Sequence, residues 1–211
     1  MDNFKKYMVE FIGTFFLVFT VGLIALLPGN GVIAALAVGF ILMVMVYAGG
    51  YISGGYYNPA VAFAATLRGA LPAKLLCRYI VAEILGAIAA SGLIMFLYGG
   101  LPEITVCTYG MMQVLIGEFL FTFALCYVVL AVATTEATKW NSYYGVAIGS
   151  TVTVGAFVAG GVICYGAFNP AIAIALWSLK LSCLAMTIIT IIANLLGAIA
   201  ASYVYKYLIE D

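Results

Sequence analysis

One tripeptide occurs twice in this chain and divides it into two halves. Asn58-Pro59-Ala60 recurs as Asn169-Pro170-Ala171, at an offset of 111 residues from 58 to 169. The heptapeptide LGAIAAS of residues 85–91 recurs letter for letter at 196–202, which is the same offset. Two unrelated segments that repeat at one offset indicate a structural unit used twice. We therefore expect a single domain over 1–211, built from repeats at approximately 1–103 and 104–211.

The composition places both repeats in a membrane. Hydrophobic residues make up 66% of the chain and charged residues 8%, and there is no His. This leaves too little polar surface to cover a water-soluble globule. The apolar runs predict six membrane-spanning helices of about 20 residues each, in an all-α fold. These runs are 7–27, 32–51, 75–98, 111–133, 144–162 and 183–207. The first is expected to be a retained span, because no small-residue cleavage site and soluble remainder follow it.

The basic residues predict the orientation of the spans. Of the eight basic residues, only Lys180 falls on the other side of the predicted spans. The seven that share one side are Lys5, Lys6, Arg68, Lys74, Arg78, Lys139 and Lys206. Short loops rich in Lys and Arg stay in the cytoplasm, so both termini are expected there. Three spans in each half then give the two repeats opposite orientations. Which membrane holds the protein does not follow from the sequence.

Each copy of the tripeptide predicts the start of a short helix inside the membrane. Asn is a favoured helix N-cap and Pro a favoured first helical residue. About ten residues follow each Pro before polar residues appear, which as helix is about 15 Å, or half of the hydrocarbon core. Because the repeats are inverted, the positive N-terminal ends of both half-helices should meet at the bilayer centre. Glycines precede each copy, and irregular backbone at this depth is tolerated where it lines a water-filled path.

These residues match a known family. The paired Asn-Pro-Ala boxes, the opening segment EFIGTFF at 10–16 and the segment ISGG at 52–55 resemble the aquaporins, or major intrinsic proteins, over nearly the whole chain. The resemblance implies six helices and two re-entrant half-helices around one pore, in a homotetramer whose subunits conduct separately. It implies water as permeant and the lipid bilayer as surroundings, with no cofactor. Asn58 and Asn169 would then donate hydrogen bonds to a passing water and prevent it from relaying a proton.

The chain departs from the family where the outer selectivity filter is expected. In most members an Arg stands three positions after the second Asn, and here that position is Ile172. By the family's spacing the other filter residues are Val38, Gly166 and either Phe157 or Ala156. This filter is apolar and lacks a fixed cation. Water is the expected permeant, with small neutral solutes in addition. A channel mainly for glycerol, urea, ammonia or gas is the alternative.

Three carboxylates lie in or near the predicted spans. Intramembrane acids are candidates for function. The resemblance implies that Glu10 and Glu118 accept hydrogen bonds from backbone N–H groups of the loops that lead to the boxes. Proton coupling in a secondary transporter is the alternative role. Glu83 has Asn194 as its counterpart at the repeat offset, and both are expected to form interhelical hydrogen bonds.

Other residue types exclude several classes of function. The sequence shows no Ser/His/Asp set, metal cluster, phosphate loop or nucleic-acid patch, so we expect neither an enzyme nor a metal site. The five cysteines are Cys77, Cys107, Cys126, Cys164 and Cys183. Their odd number and spacing indicate that they act as small apolar residues, with a disulfide or metal framework as the alternative. Cys164 is close enough to the second box to face the outer mouth of the pore. A coupled transporter and a structural membrane protein remain as alternatives to the channel.

Three tyrosines beside the first box carry a further hypothesis. Tyr51, Tyr56 and Tyr57 precede Asn58 on the predicted cytoplasmic side. They either pack against the neighbouring helices, or they gate or line the pore there.

Overall fold

The computed structural model is all-helical, and it describes residues 3–27, 31–100, 109–138, 141–160 and 163–209. Within these ranges the chain forms eight α-helices. They are α1 (Asn3–Ala25), α2 (Gly31–Ser53), α3 (Pro59–Arg68), α4 (Ala73–Tyr98), α5 (Met111–Thr134), α6 (Tyr144–Val158), α7 (Pro170–Ser178) and α8 (Leu184–Ile209). The order matches the prediction of six spans with a short helix after the second and the fifth.

Five of the helices are long and apolar enough to cross a membrane. These are α1, α2, α4, α5 and α8, with 23 to 26 residues each. At 1.5 Å per residue each exceeds the roughly 30 Å of a hydrocarbon core. The sixth apolar helix, α6, has 15 residues and ends at Val158, whereas the sequence predicts a span to 162. Beyond it, Gly160 forms a β-bridge with Cys164, so the backbone leaves the helical path there.

The two short helices begin at the tripeptides. Asn58 has φ −160° and ψ 113°, and its side-chain oxygen accepts a hydrogen bond from the Ala60 N–H at 3.0 Å. Asn169 has φ −160° and ψ 116°, and it accepts from the Ala171 N–H at 2.9 Å. α3 has 10 residues and α7 has 9, so each reaches about half of the way across the core. Their start and length agree with the prediction from the sequence.

Glycines bring the long helices of the two repeats together in the same way. A Cβ on Gly86 of α4 would lie 2.5 Å from the Phe11 carbonyl oxygen of α1. A Cβ on Gly197 of α8 would lie 2.7 Å from the Phe119 carbonyl oxygen of α5. Small residues allow such close approach between helices in lipid, where the hydrophobic effect does not drive their association. The exact heptapeptide repeat therefore marks two equivalent helix crossings, α1 on α4 and α5 on α8.

A third crossing joins the repeats to each other. α2 packs on α6, where a Cβ on Gly39 would lie 2.6 Å from the Gly149 carbonyl oxygen, and a Cβ on Gly149 would lie 2.5 Å from that of Gly39. The reciprocal contact indicates a pseudo-two-fold relation between the halves. The half-helix α3 of the first repeat also contacts a long helix of the second, since the Ser202 hydroxyl of α8 donates to the Ala64 carbonyl of α3 at 3.3 Å.

The outer surface of the bundle is apolar. Large hydrophobic side chains from all six long helices are exposed there, among them Phe16, Phe40, Leu85, Ile116, Val154 and Leu196. Such a surface requires lipid around it. The two half-helices are enclosed by these long helices, and their first turns are buried.

Candidate pore and its filter

The two boxes contact each other at the centre of the molecule. The Asn58 Nδ2 donates to the Phe168 carbonyl at 2.8 Å, and the Asn169 Nδ2 donates to the Tyr57 carbonyl at 2.9 Å. The side-chain oxygen of each Asn is occupied by the N-cap of its own helix. Each amide nitrogen carries two hydrogens. One hydrogen on each Asn is therefore left to donate to a molecule in the cavity that both residues line.

Two buried carboxylates hold the loop before the first box. Glu10 of α1 accepts hydrogen bonds from the Tyr56 N–H at 3.2 Å and the Tyr57 N–H at 2.6 Å. Glu83 of α4 accepts from the Asn58 N–H at 3.0 Å. Tyr57 has a φ of 50°, in the left-handed region that side chains rarely adopt. The two acids thus fix three successive N–H groups in a segment that cannot form its own helical hydrogen bonds.

The loop before the second box is held in the same way with one difference. Glu118 of α5 accepts from the Ala167 N–H at 2.9 Å and the Phe168 N–H at 2.7 Å. Phe168 has a φ of 48°, close to that of Tyr57. Asn194 of α8 stands where the first half has Glu83, and its Nδ2 donates to Glu118 at 3.1 Å and to the Thr122 hydroxyl at 2.8 Å. The predicted interhelical hydrogen bond of Asn194 is therefore present, whereas Glu83 bonds a loop backbone.

A narrow central cavity surrounds the Asn pair. Its volume is about 20 Å³, which is room for about one water. The lining is mostly aliphatic, and Tyr56 is the polar side chain that joins the two Asn residues in it. The lining residues are Leu17, Val38, Leu42, Gly55, Tyr56, Asn58, Val61, Leu125, Val129, Ile148, Val152, Ala167, Phe168, Asn169 and Ile172. The shape therefore suits passage in single file.

A wider cavity, called the vestibule from here on, adjoins the narrow one on the side of Lys180. It has a volume of about 370 Å³ and is lined by the end of α1, the start of α2 and the loop before the second box. Its aromatic residues, Tyr109 and Tyr165, contact each other edge to face with ring centroids 5.2 Å apart. Val38 lines both cavities and so marks the transition between them.

The structure places most of the expected filter residues around this transition. Val38 and Ile172 line the central cavity, and Gly166 lines the vestibule. Phe157 is the exception, because its side chain is 42% exposed and lines neither cavity. Ala156 lines the vestibule instead. Of the two residues expected for the fifth span, Ala156 therefore faces the pore, because consecutive residues of a helix point about 100° apart.

Two cysteines, Cys164 and Cys183, differ from what the sequence predicts. Cys183, read from the sequence as a small apolar residue, is disulfide-bonded. Cys107 lies outside the described residues. Cys77, Cys126 and Cys164 are free thiols. Cys164 is fully buried, with its Sγ 3.7 Å from the Ala159 carbonyl oxygen, and it does not face the vestibule as expected. The signal in the sequence was the place of Cys183 at the first residue of the predicted span 183–207, where the chain enters the membrane.

Comparisons with known proteins agree with this geometry. The crystal structure of the aquaglyceroporin from Plasmodium falciparum superposes with a TM-score of 0.82 at 19% identity, covering 99% of this chain and 98% of that chain, which shows the same fold. A probable NIP-type aquaporin of Nicotiana alata is 33% identical over 210 residues, covering 96% of this chain and 77% of the relative. Nodulin-26 of Glycine max is 34% identical over 224 residues, with the same coverage of 96% and 77%. The family model for the major intrinsic proteins matches residues 1–166. The chain therefore belongs to the major intrinsic protein family, the aquaporins.

Proposed function

We propose that this membrane channel conducts water in single file past the two Asn-Pro-Ala boxes, through an apolar filter of Val38, Ala156, Gly166 and Ile172. The observation that carries the proposal is the pair of Asn amides, each with one hydrogen left to donate, beside a cavity that holds about one water. Family membership makes the chain an integral, multi-pass membrane channel for water and small solutes. Membrane channels of this family are generally not enzymes.

Protons and cations are excluded at the boxes in this proposal. A water whose oxygen accepts from both Asn58 and Asn169 has both lone pairs in use, so it cannot accept a proton from the next water in the file. The N-terminal ends of α3 and α7 also meet there, and each carries a partial positive charge. A cation near this point would lose its hydration shell and face repulsion from two helix ends. The half-helices begin at Pro59-Ala60 and Pro170-Ala171. These residues contribute by directing the two positive helix ends toward the pore.

The apolar filter favours particular additional permeants. Ile172 is buried at the position where most family members carry Arg, so the filter offers no charged donor to a solute. Moving a polar group out of water without a new hydrogen bond costs free energy on the order of 2–7 kcal/mol. Glycerol and urea carry several such groups, whereas ammonia carries one nitrogen and dissolved gases carry none that donate. The small solutes are therefore favoured over the large polar ones.

Both termini lie in the cytoplasm in this proposal. The basic segments support it, because they cluster on the side of the termini. Cys183 supports it independently, since it lies three residues from Lys180 on the opposite side and is disulfide-bonded. Disulfides persist outside the reducing cytosol. The vestibule would then open to the extracytoplasmic side.

The assembly is proposed to be a homotetramer in which each subunit conducts. Each chain carries a complete pair of boxes, a complete set of bracing carboxylates and one narrow cavity. The pore itself thus needs no second copy. Native mass spectrometry of the detergent-solubilised protein should give a mass of four chains, and a monomer at all detergent concentrations would contradict the tetramer.

Stopped-flow light scattering of proteoliposomes tests the channel and its filter together. Under a sucrose gradient the wild type should shrink faster than empty liposomes, with no proton flux reported by an enclosed pH dye. Shrinkage equal to that of empty liposomes would disprove the water channel. Flux that depends on a pH or sodium gradient would indicate a coupled transporter, and absence of all flux from a folded tetramer would indicate a structural protein.

The filter is tested with Ile172→Arg. The Arg side chain is larger than Ile and adds a fixed cation, so we expect lower ammonia flux at retained water flux. Ile172→Leu, which keeps the volume and the apolar character, is the conservative comparison. If Ile172→Arg leaves the ratio of solute flux to water flux unchanged, Ile172 is not in the filter.

A further inference from the structure

The internal repeat allows the two halves of the pore to be compared residue by residue. At the offset of 111, Asn58 corresponds to Asn169 and Val61 to Ile172, and all four line the central cavity. Each pair is similar in size and chemistry. The two halves of the cavity are therefore nearly equivalent at these positions.

One pair breaks this equivalence. Tyr56 and Ala167 stand at the same offset, and both line the central cavity. Their backbones are held alike, because the Tyr56 N–H donates to Glu10 Oε1 and the Ala167 N–H donates to Glu118 Oε1. The cytoplasmic half thus places a phenol ring where the other half has a methyl group.

The Tyr56 ring is held in place by its neighbours. It packs against the ring of Tyr79 on α4, with centroids 6.0 Å apart. Tyr79 is itself fixed, because its hydroxyl donates to the Ser53 carbonyl at 2.8 Å. On the other side, a Cβ on Gly54 would lie 2.7 Å from Tyr56 Cζ, and Gly54 has a φ of 104°. Glycine leaves room for the ring, so the local backbone and α4 together fix its position.

We propose that Tyr56 is a specificity-determining residue, whose ring forms a second constriction between the Asn pair and the cytoplasm and limits the size of permeating solutes. The inference rests on the proposed function, since it concerns the same pore. The Ile172 filter discriminates by polarity on the extracytoplasmic side. Tyr56 discriminates by volume on the other side, so a solute larger than water must pass both.

The test replaces Tyr56 with the residue of the other half. Tyr56→Ala, reconstituted in proteoliposomes, should raise the permeability to glycerol and urea severalfold relative to water. Tyr56→Phe keeps the ring and should restore the wild-type ratio. The matched control is Tyr51→Ala, because Tyr51 lies five residues earlier, in the last turn of α2, and is 77% exposed and away from the cavity. An unchanged ratio in folded Tyr56→Ala, or a raised ratio in Tyr56→Phe, would overturn the constriction.

A reciprocal variant covers the case in which Tyr56→Ala does not fold. Ala167→Tyr builds the same ring into the other half and should lower water permeability, with size-exclusion chromatography to show that the tetramer is intact. Unchanged water flux in the folded variant would overturn the inference. If wild type conducts nothing while Tyr56→Ala conducts water, the proposed open channel fails but the Tyr56 barrier stands. If neither conducts, both the channel and the constriction are refuted.

Discussion

Three buried acids hold the loops before the boxes, and an amide, Asn194, bonds to one of these acids, so the two halves use unequal chemistry. Glu118 offers both carboxylate oxygens to backbone N–H groups and one of them also to Asn194. Glu83 offers one oxygen to Asn58, and its carboxyl group lies close to that of Glu10, while its Oε2 is buried without a hydrogen-bond partner among the described residues. Two carboxyl groups share a hydrogen bond only if one of them carries a hydrogen. An amide at position 83 would supply that hydrogen, as Asn194 does for Glu118.

This difference predicts opposite results for the same substitution. Glu118→Gln leaves one oxygen for two backbone N–H groups, so a buried donor loses its partner, at a cost of about 2 kcal/mol. Glu83→Gln keeps the acceptor for Asn58 and adds a donor toward Glu10, so its stability should match wild type. Thermal unfolding of the two variants in detergent, followed by intrinsic fluorescence, makes the comparison. Equal destabilisation by both substitutions would show that Glu83 needs its carboxyl group.

The starts of the two half-helices were accessible from the sequence because helix capping is local. The Asn-Pro pairs gave the first residues of α3 and α7, since capping depends on a few neighbouring atoms. The end of α6 was not accessible. Its apolar run continues to 162, but the helix ends at Val158 where the backbone turns toward the second box. Hydrophobicity does not distinguish a helix from a buried loop in the same apolar segment.

The α1–α4 crossing gives a prediction at this scale. Gly86→Ala places a methyl group 2.5 Å from the Phe11 carbonyl oxygen, so the two helices must separate. Overpacking of this kind costs about 1–3 kcal/mol. Gly92 of the same helix is the matched control, because a Cβ there meets nothing within 4 Å. We expect a lower melting temperature for Gly86→Ala and an unchanged or higher one for Gly92→Ala. A similar decrease of the melting temperature in both variants would show that the effect comes from helix propensity or handling and not from the crossing.

At the scale of the whole molecule, orientation can be measured at one thiol. Cys77 is a free, exposed cysteine near the start of α4, between Lys74 and Arg78. If the basic segments face the cytoplasm, a membrane-impermeant maleimide added outside intact cells should not label Cys77. Permeabilisation should allow the labelling. Cys77→Ser gives the background from the other cysteines. Labelling of Cys77 in intact cells would place the termini outside and invert the proposed topology.

The sequence by itself determined that this chain crosses a membrane as two copies of one unit, each with a half-helix that begins at an Asn-Pro pair. Composition, repetition and capping suffice for this because they act within a few residues or over the chain as a whole. Only the tertiary structure decided that Ala156 and not Phe157 lines the vestibule. That outcome depends on the rotation of α6, which its contact with α2 at Gly39 and Gly149 fixes.

The tertiary structure likewise decided which tyrosine beside the first box reaches the lumen. Tyr51, Tyr56 and Tyr57 are equivalent as residue types. In the fold the Tyr51 ring is exposed at the end of α2, the Tyr56 ring lines the central cavity and the Tyr57 ring is fully buried. The two loop residues take these positions because Glu10 of α1 binds their backbone N–H groups and Tyr79 of α4 packs against the Tyr56 ring. Contacts between distant segments set the direction of a side chain, and one residue of helical shift turns it by about 100°. Residue type and local spacing in the sequence do not fix that direction.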